Sequence, residues 1–293
     1  MTDLSNLNRL YNENKISRRQ FIRGLTALGI SSTMMPALLS SNAFAATPIK
    51  GGHFRQAMTG AGTSDSLDPG LLLANHAINF SSQISNCLVE IDHNFKPVPE
   101  LAESWDASPD AKTWTFKLKK GVEFHNGKTM TAKDVIFSIN HHRKEDSKSA
   151  AKPYLKIVKD VRQDDNHTVI IELSEGNADF PFIMGDYHIR IYPDGTSGKD
   201  WEKGIGTGPY ILETWEPGVK GITKRNPNYF KSDRAHFDSV ETLAIADVNA
   251  RSNALKTGRV DVIDRVDLKT VHLLKRMPKI NVTAVTGTMH YSM

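Results

Sequence analysis

Between Thr113 and Leu118 apolar and polar side chains alternate, with Trp114, Phe116 and Leu118 on one side and Thr113, Thr115 and Lys117 on the other. A period of two is that of a strand with one buried face. The next stretch, FHNGKTM, turns the chain, and beyond it Val135, Ile136 and Ile139 form the apolar stripe of a helix. Thr131 caps that helix, and Asp134 three positions on completes an aspartate version of a capping box. On the same reasoning Gly51 to Met58 predicts a strand. His76 to Leu88 predicts a helix with Ile78, Ile84, Cys87 and Leu88 inward, and the two alternating runs around Asp164-Asp165-Asn166 predict a hairpin. Asp179 to Lys203 is irregular and rich in aromatic residues, Pro and Gly, and reads as connections at a domain edge.

From Gly204 the register changes. GTGPY leads into a strand, Ala250 and Leu255 mark a helix stopped by Gly258 at C′, and Val260, Val262 and Ile263 make the strand after it. Asp267 then caps a helix through Leu268, Val271, Leu274 and Met277 that ends at Pro278, with a last strand from Ile280 to Val285. Two glycine patterns invite nucleotide readings. GVEFHNGKT has five residues between Gly121 and Gly127 where a phosphate-binding loop needs four, so it is read as a tight turn with Gly127 at positive φ. Gly206 and Gly208 run into Pro209 and a strand, not a helix, so they open no dinucleotide site.

Net charge first changes the picture at the N-terminus. Of the formal +4, residues 1–45 hold five Lys/Arg against two acids, leaving 32 against 31, or +1, for the rest, which gives no sign of nucleic-acid binding. Ser17 to Arg23, SRRQFIR, resembles a twin-arginine export signal, with Arg18, Arg19 and Phe21 as its signal residues. Gly24 to Ser40 is the modestly apolar stretch, too short and too polar to span a membrane, and Ala43-Phe44-Ala45 offers a small-x-small cleavage site. Residues 1–45 are therefore expected to be a signal peptide, with a mature chain from about Ala46. The lone Cys87 can form no internal disulfide and is expected to be a buried core thiol. H-E-x-x-H, G-x-S-x-G and C-x-x-C are absent. His141 and His142, adjacent on a helix, do not share a face and are expected to be solvated or hydrogen-bonded surface groups.

In order and wording, PELAESW, KTWTFKL, GVEFHNGK and TAKDVIFSI resemble the family 5 extracellular solute-binding proteins of ABC importers, which include oligopeptide-, dipeptide- and nickel-binding proteins. KGGHFRQA followed by SLDP, then GTGPY, RNPNY, AIAD and ALKTGRVDV, extend the resemblance from about Lys50 to Met293. It implies an α/β, periplasmic-binding-protein type II-like (cluster C) lobe. In it a discontinuous main domain, residues 46–86 and 203–285, carries an inserted subdomain, residues 87–202. Residues 286–293 would begin the interlobe connection, with the second lobe largely missing and the chain a truncated form. It further implies ligand contacts at Leu73, Ala74 and Asn75 in the loop after LDP, at Tyr154, and at His290 and Tyr291. The expected partners are a peptide or similar small solute, an ABC permease in the inner membrane and the twin-arginine export machinery. The expected product is a soluble periplasmic monomer without cofactor. An exported cofactor- or metal-dependent enzyme is the alternative, and a single cysteine excludes a Cys-ligated iron–sulfur cluster from it.

Overall fold

A computed structural model describes Leu7, residues 18–28 and residues 48–284. The chain divides into two units, residues 1–50 and 51–293. In the first, helix α1 (Arg18–Ala27) has the Arg pair in its first turn and buries Phe21 and Leu25.

The second unit holds two sheets and a short ribbon. Strand β1 (His53–Met58) pairs in parallel with β10 (Ser239–Ala244) and with the two-residue β11 (Val262–Ile263), so His53 meets Ser239 across 186 residues of sequence. With β8 (Tyr210–Glu216) and β9 (Lys220–Arg225) these form a five-stranded sheet in the order β11-β1-β10-β9-β8. Helix α2 (Asn75–Ile84) lies on it, burying His76, Ala77, Phe80, Ser81 and Ile84. The Phe80 ring rests on bare backbone: a Cβ on Gly221 would sit 2.1 Å from it. Trp215, the cross-strand partner of Gly221, stacks against the same ring at 4.8 Å.

The second sheet, β4-β5-β7-β6, is antiparallel throughout and comprises β4 (Ala102–Ala107), β5 (Thr113–Leu118), β6 (Val158–Asp165) and β7 (Thr168–Leu173). The alternation in β5 places Trp114, Phe116 and Leu118 in the core as expected, and the hairpin β6–β7 turns at Asn166 and His167. Helix α3 (Ala132–Arg143) covers β6 and β7 with Val135 and Ile139. Its N-terminus is fixed by Asp134, whose Oδ2 accepts from the Thr131 N–H (2.8 Å) and hydroxyl (3.0 Å). The other oxygen accepts from the Asp194 N–H (2.8 Å) and from Lys128 Nζ. The ribbon of β2 (Val89–Ile91) and β3 (Pro97–Pro99) stands between the sheets in sequence.

The structure corrects five expectations. Helix α2 ends at Ile84, because Ser85 turns extended (φ −148°, ψ 161°) while its N–H closes on Ser81 O. Ile78 is half-buried, and Cys87, though buried, bridges Arg190 in extended chain, not on a helical stripe. Residues 179–203 are not peripheral. They include α4 (Phe180–Ile183) and bury Phe180, Met184, Ile189, Ile191, Tyr192 and Trp201. After α5 (Val248–Lys256), stopped at Gly258 (φ 72°), the next helix α6 (Val271–Leu274) is a single turn that leaves Leu268 exposed, and residues 280–284 form no strand.

The two sheets are joined by glycine and histidine. Gly127 takes φ 81° in the FHNGK turn, which presents His125 to the GIGTG segment. The His125 N–H donates to Gly206 O (2.9 Å), and its ring lies against Gly208 O (3.1 Å) and Gly204 O (3.3 Å). Burial pushes this imidazole below its ordinary value, which favours the neutral form. On the far side, Cβ atoms on Gly206 and Gly208 would fall 2.1 Å from Ile84 O and 2.3 Å from Ile84 C, so GTG is needed for close approach to the end of α2.

Candidate functional site

Strands β1, β10 and β11 are parallel, so their carboxyl ends, Met58, Ala244 and Ile263, share one edge of the sheet. Ligands of open α/β sheets bind outside that edge. The loop leaving β1, residues 59–74, lies there. The Thr59 N–H donates to Asp264 Oδ1 just beyond β11 (3.0 Å), and the Ser66 hydroxyl donates to Glu202 (2.9 Å). Asp68 caps a short turn by accepting from the Gly70 N–H (2.9 Å), and the same oxygen pairs with His141 Nε2 on α3 (2.7 Å). Gly70 O in turn accepts from the Ala150 N–H (3.1 Å). This bond ties the loop to the segment that carries Tyr154.

The loop bearing Leu73, Ala74 and Asn75 is thus brought beside the Tyr154 segment, while His290 and Tyr291 lie outside the described residues. Leu73 is 75% exposed and Tyr154 51%, high for such side chains. Ala74 is the N-cap of α2 and, lacking an oxygen, makes no side-chain cap. Asn75 is partly committed to structure: with its amide oxygen turned toward Arg265 it accepts from Nη2 (2.9 Å) and Nε (3.0 Å). Sequence reasoning missed Leu71 (45% exposed) and Tyr187 (37% exposed). Tyr187 is close enough to Tyr154 that, after burial and Asp186, that neighbour raises its phenol. Leu71 was legible as the apolar residue after LDPG, whereas Tyr187 comes from the irregular segment and had no periodic signal.

Behind this exposed rim lies a buried polar cluster. His142, expected on the surface, is fully buried because α3 turns it inward onto Ser149 Oγ (2.7 Å from Nδ1). Burial, with His141 close by, pushes it down to about 3, so it is neutral at ordinary pH. Burial alone would raise the Asp68 carboxyl, but its hydrogen bond and charge interaction with His141 hold it below the usual range. Asp186 is lowered in the same way by His188 (2.7 Å). Ser149 and His142 have the spacing of a nucleophile and its base, yet both are buried and Ser149 Oγ also accepts from the Ala151 N–H (3.1 Å). The pair holds a turn and faces no substrate.

A second cleft, about 390 Å³, is lined by Asn86, Glu90, Glu100, Tyr229, Lys231 and Arg234 among others. Its charges are satisfied internally. Lys231 bridges Glu90 (2.6 Å) and Glu100, and Asn86 Nδ2 donates to Glu100 (2.5 Å) and to Tyr229 Oη (3.1 Å). Burial would raise Glu90, but Lys231 and Arg234 pull it below its ordinary value. This is a joint, and the rim at the sheet edge is the better candidate for ligand. Among the described residues no group of three His, Cys, Asp or Glu side chains could hold a metal ion, and no helix is long and apolar enough to cross a membrane.

Residues 96–293 match the family described as bacterial extracellular solute-binding proteins, family 5 Middle, and the chain belongs to that family. It is 27% identical over 286 residues to di/tripeptide-binding protein 1 of Pseudomonas aeruginosa, covering 88% of this chain and 53% of that protein. It is 28% identical over 247 residues to heme-binding protein A of Haemophilus influenzae, covering 75% and 45%. The structure of the ABC transporter-associated periplasmic binding protein DppA from Helicobacter pylori, in complex with peptide STSA, superimposes with a TM-score of 0.71 and 26% identity, covering 79% of this chain and 50% of that one. The chain therefore spans about half the length of the relatives it matches. The expected fold class, an α/β periplasmic-binding-protein lobe, is borne out.

Proposed function

We propose that this chain carries one ligand-contacting wall of a periplasmic solute-binding component of an ABC importer, which captures peptides or similar small solutes and delivers them to a membrane permease. The observation that carries the reading is the exposed apolar and aromatic rim of Leu71, Leu73 and Tyr154 at the carboxyl edge of the five-stranded sheet, in a chain of this family. Capture would work through closure: a ligand bridging this wall and an opposing one stabilises the closed form by its differential affinity for it. Relatives named for di/tripeptides support peptides as the solute class. The family consists of binding proteins, and we assign no catalytic role.

The organisation we propose is a main domain of residues 46–86 and 203–285 with residues 87–202 inserted, and the pairing of β1 with β10 and β11 supports it. We also propose that residues 1–45 act as a twin-arginine signal. Replacing Arg18 and Arg19 together by Lys should leave precursor in the cytoplasm, and undiminished export would defeat that part. For the ligand, calorimetric titration of a version that also carries the opposing wall against di-, tri- and tetrapeptide pools should give saturable heat that Leu73→Asp and Tyr154→Ala each weaken by about tenfold, or about 1.4 kcal/mol. Saturable binding indifferent to both substitutions would move the site elsewhere, and no heat with any pool would defeat the peptide reading.

A further inference from the structure

The near-neutral charge of the chain conceals a strong asymmetry. Residues 112–160 hold twelve Lys/Arg against five Asp/Glu, a net of +7, so the rest of residues 46–293, with 20 against 26, carries −6. Much of that excess is displayed by α3 and the turn after it. Lys133, Phe137, Asn140 and Lys144 recur along one face of α3 and, with His141 and Asp194, line a shallow groove. Arg143, Lys152 and Lys156 line a second groove floored by Leu155 and Val158. The grooves adjoin, since Arg143 Nη1 donates to Asn140 Oδ1 (2.7 Å). Together they expose five cations and one carboxylate, Asp194, with Glu145, Asp146 and Asp160 nearby in sequence.

These cations have little to do within the fold. Arg143 donates to Val158 O (2.7 Å), and Lys152 donates to Glu145 O (2.5 Å). Lys133, Lys144, Lys148, Lys156 and Lys159 are exposed and join no ion pair among the described residues. An uncompensated cluster of this kind repels itself and attracts an anionic surface. Its composition indicates which surface. Desolvated protein interfaces favour Arg and are depleted in Lys, because an ammonium is strongly hydrated and flexible. A spread of solvated lysines along open, shallow grooves suits a diffuse sheet of charge, to which each adds attraction without shape matching.

We infer that the outer face of α3 and the 144–159 turn is a membrane-surface contact that holds the protein reversibly against anionic phospholipid headgroups. The inference does not depend on which solute is bound. Co-sedimentation of the chain from about Ala46, free of the basic signal segment, with vesicles tests it. Vesicles of about 30% phosphatidylglycerol in phosphatidylcholine should bind at least about tenfold more protein than pure phosphatidylcholine at low salt, and about 0.5 M salt should abolish the difference. The triple variant Lys133→Glu, Lys144→Glu, Lys156→Glu, all exposed side chains, should lose it with unchanged melting temperature. The salt titration of the unmodified chain serves as a check that needs no variant to fold. Equal binding to both vesicle types, or salt-insensitive binding, would overturn the inference. So would binding to a polyglutamate probe without preference for anionic vesicles, which would give the face to an acidic protein.

Discussion

The two sheets are built on different principles. The antiparallel sheet β4-β5-β7-β6 and its helix share one continuous core of 24 buried residues, with Trp114, Phe116 and Phe180 in mutual ring contact at 6.1–6.3 Å. The five-stranded sheet rests on two clusters of three, Leu67/Phe80/Ile84 and Ala57/Ala254/Val260, ringed by partly buried residues. The first region is closed over apolar bulk assembled mostly from neighbours in sequence. The second is a thinner construction, drawn together over 186 residues, whose carboxyl edge stays open for the rim of Leu71, Leu73 and Tyr154. Stability and presentation are thereby separated: the dense region anchors, and the sparse one offers loops.

The hardest test of this division is Phe116→Ala. Loss of a fully buried ring from the continuous core should cost about 3–5 kcal/mol and lower the melting temperature by about 10 °C, read by calorimetry. A cost under about 1 kcal/mol would show that the core is not the anchor. Next, Gly208→Ala forces a Cβ onto backbone atoms of Ile84 and should cost about 3 kcal/mol, with hydrogen exchange rising on both sides of the seam. Exchange rising in one sheet only would show that the sheets are not coupled there.

Acid should act through the buried polar cluster. His142 has a folded value of about 3, below its unfolded value, so its contribution is complete above pH 6.5 and is lost as pH falls from 6.5 toward 3. By pH 5 that loss is about 2 kcal/mol. His76 and His125 are lowered by burial too, so His142→Asn should remove part of the slope between pH 6.5 and 5, measured by denaturant titration. An unchanged slope would remove His142 from the account. The smallest effect is expected at the sparse sheet's helix cap: Asp247 Oδ1 accepts from the Ala250 N–H (2.7 Å), and Asp247→Ala should cost about 1 kcal/mol.

How much was legible in the sequence follows the same division. β5, the cap at Thr131 and Asp134, the β6–β7 hairpin and the Gly127 turn could be read because local periodicity and turn chemistry determine them. The long-range pairing of β1 with β10 could not be read from alternation, only from resemblance. The misreadings fell where tertiary contacts decide: His142 is drawn inward by Ser149, and Leu268 lacks a partner to extend α6 toward Asp267. Of the site, the loop residues were placed by resemblance, while Asp68, His141 and Tyr187 required the Gly70–Ala150 bond between distant segments to become visible.

The glycines at the seam also bear on time. Between Gly208 and Ile84 there is no side chain to slide or repack, only backbone against backbone, with the Gly208 N–H donating to Ile84 O at 3.0 Å. A joint without side chains has no graded intermediate positions, so it opens only when the helix end or the strand itself comes apart. The Gly208 amide should therefore exchange with solvent on the slow clock of global unfolding, while amides a few residues into the β1 loop exchange on the fast clock of local fluctuation.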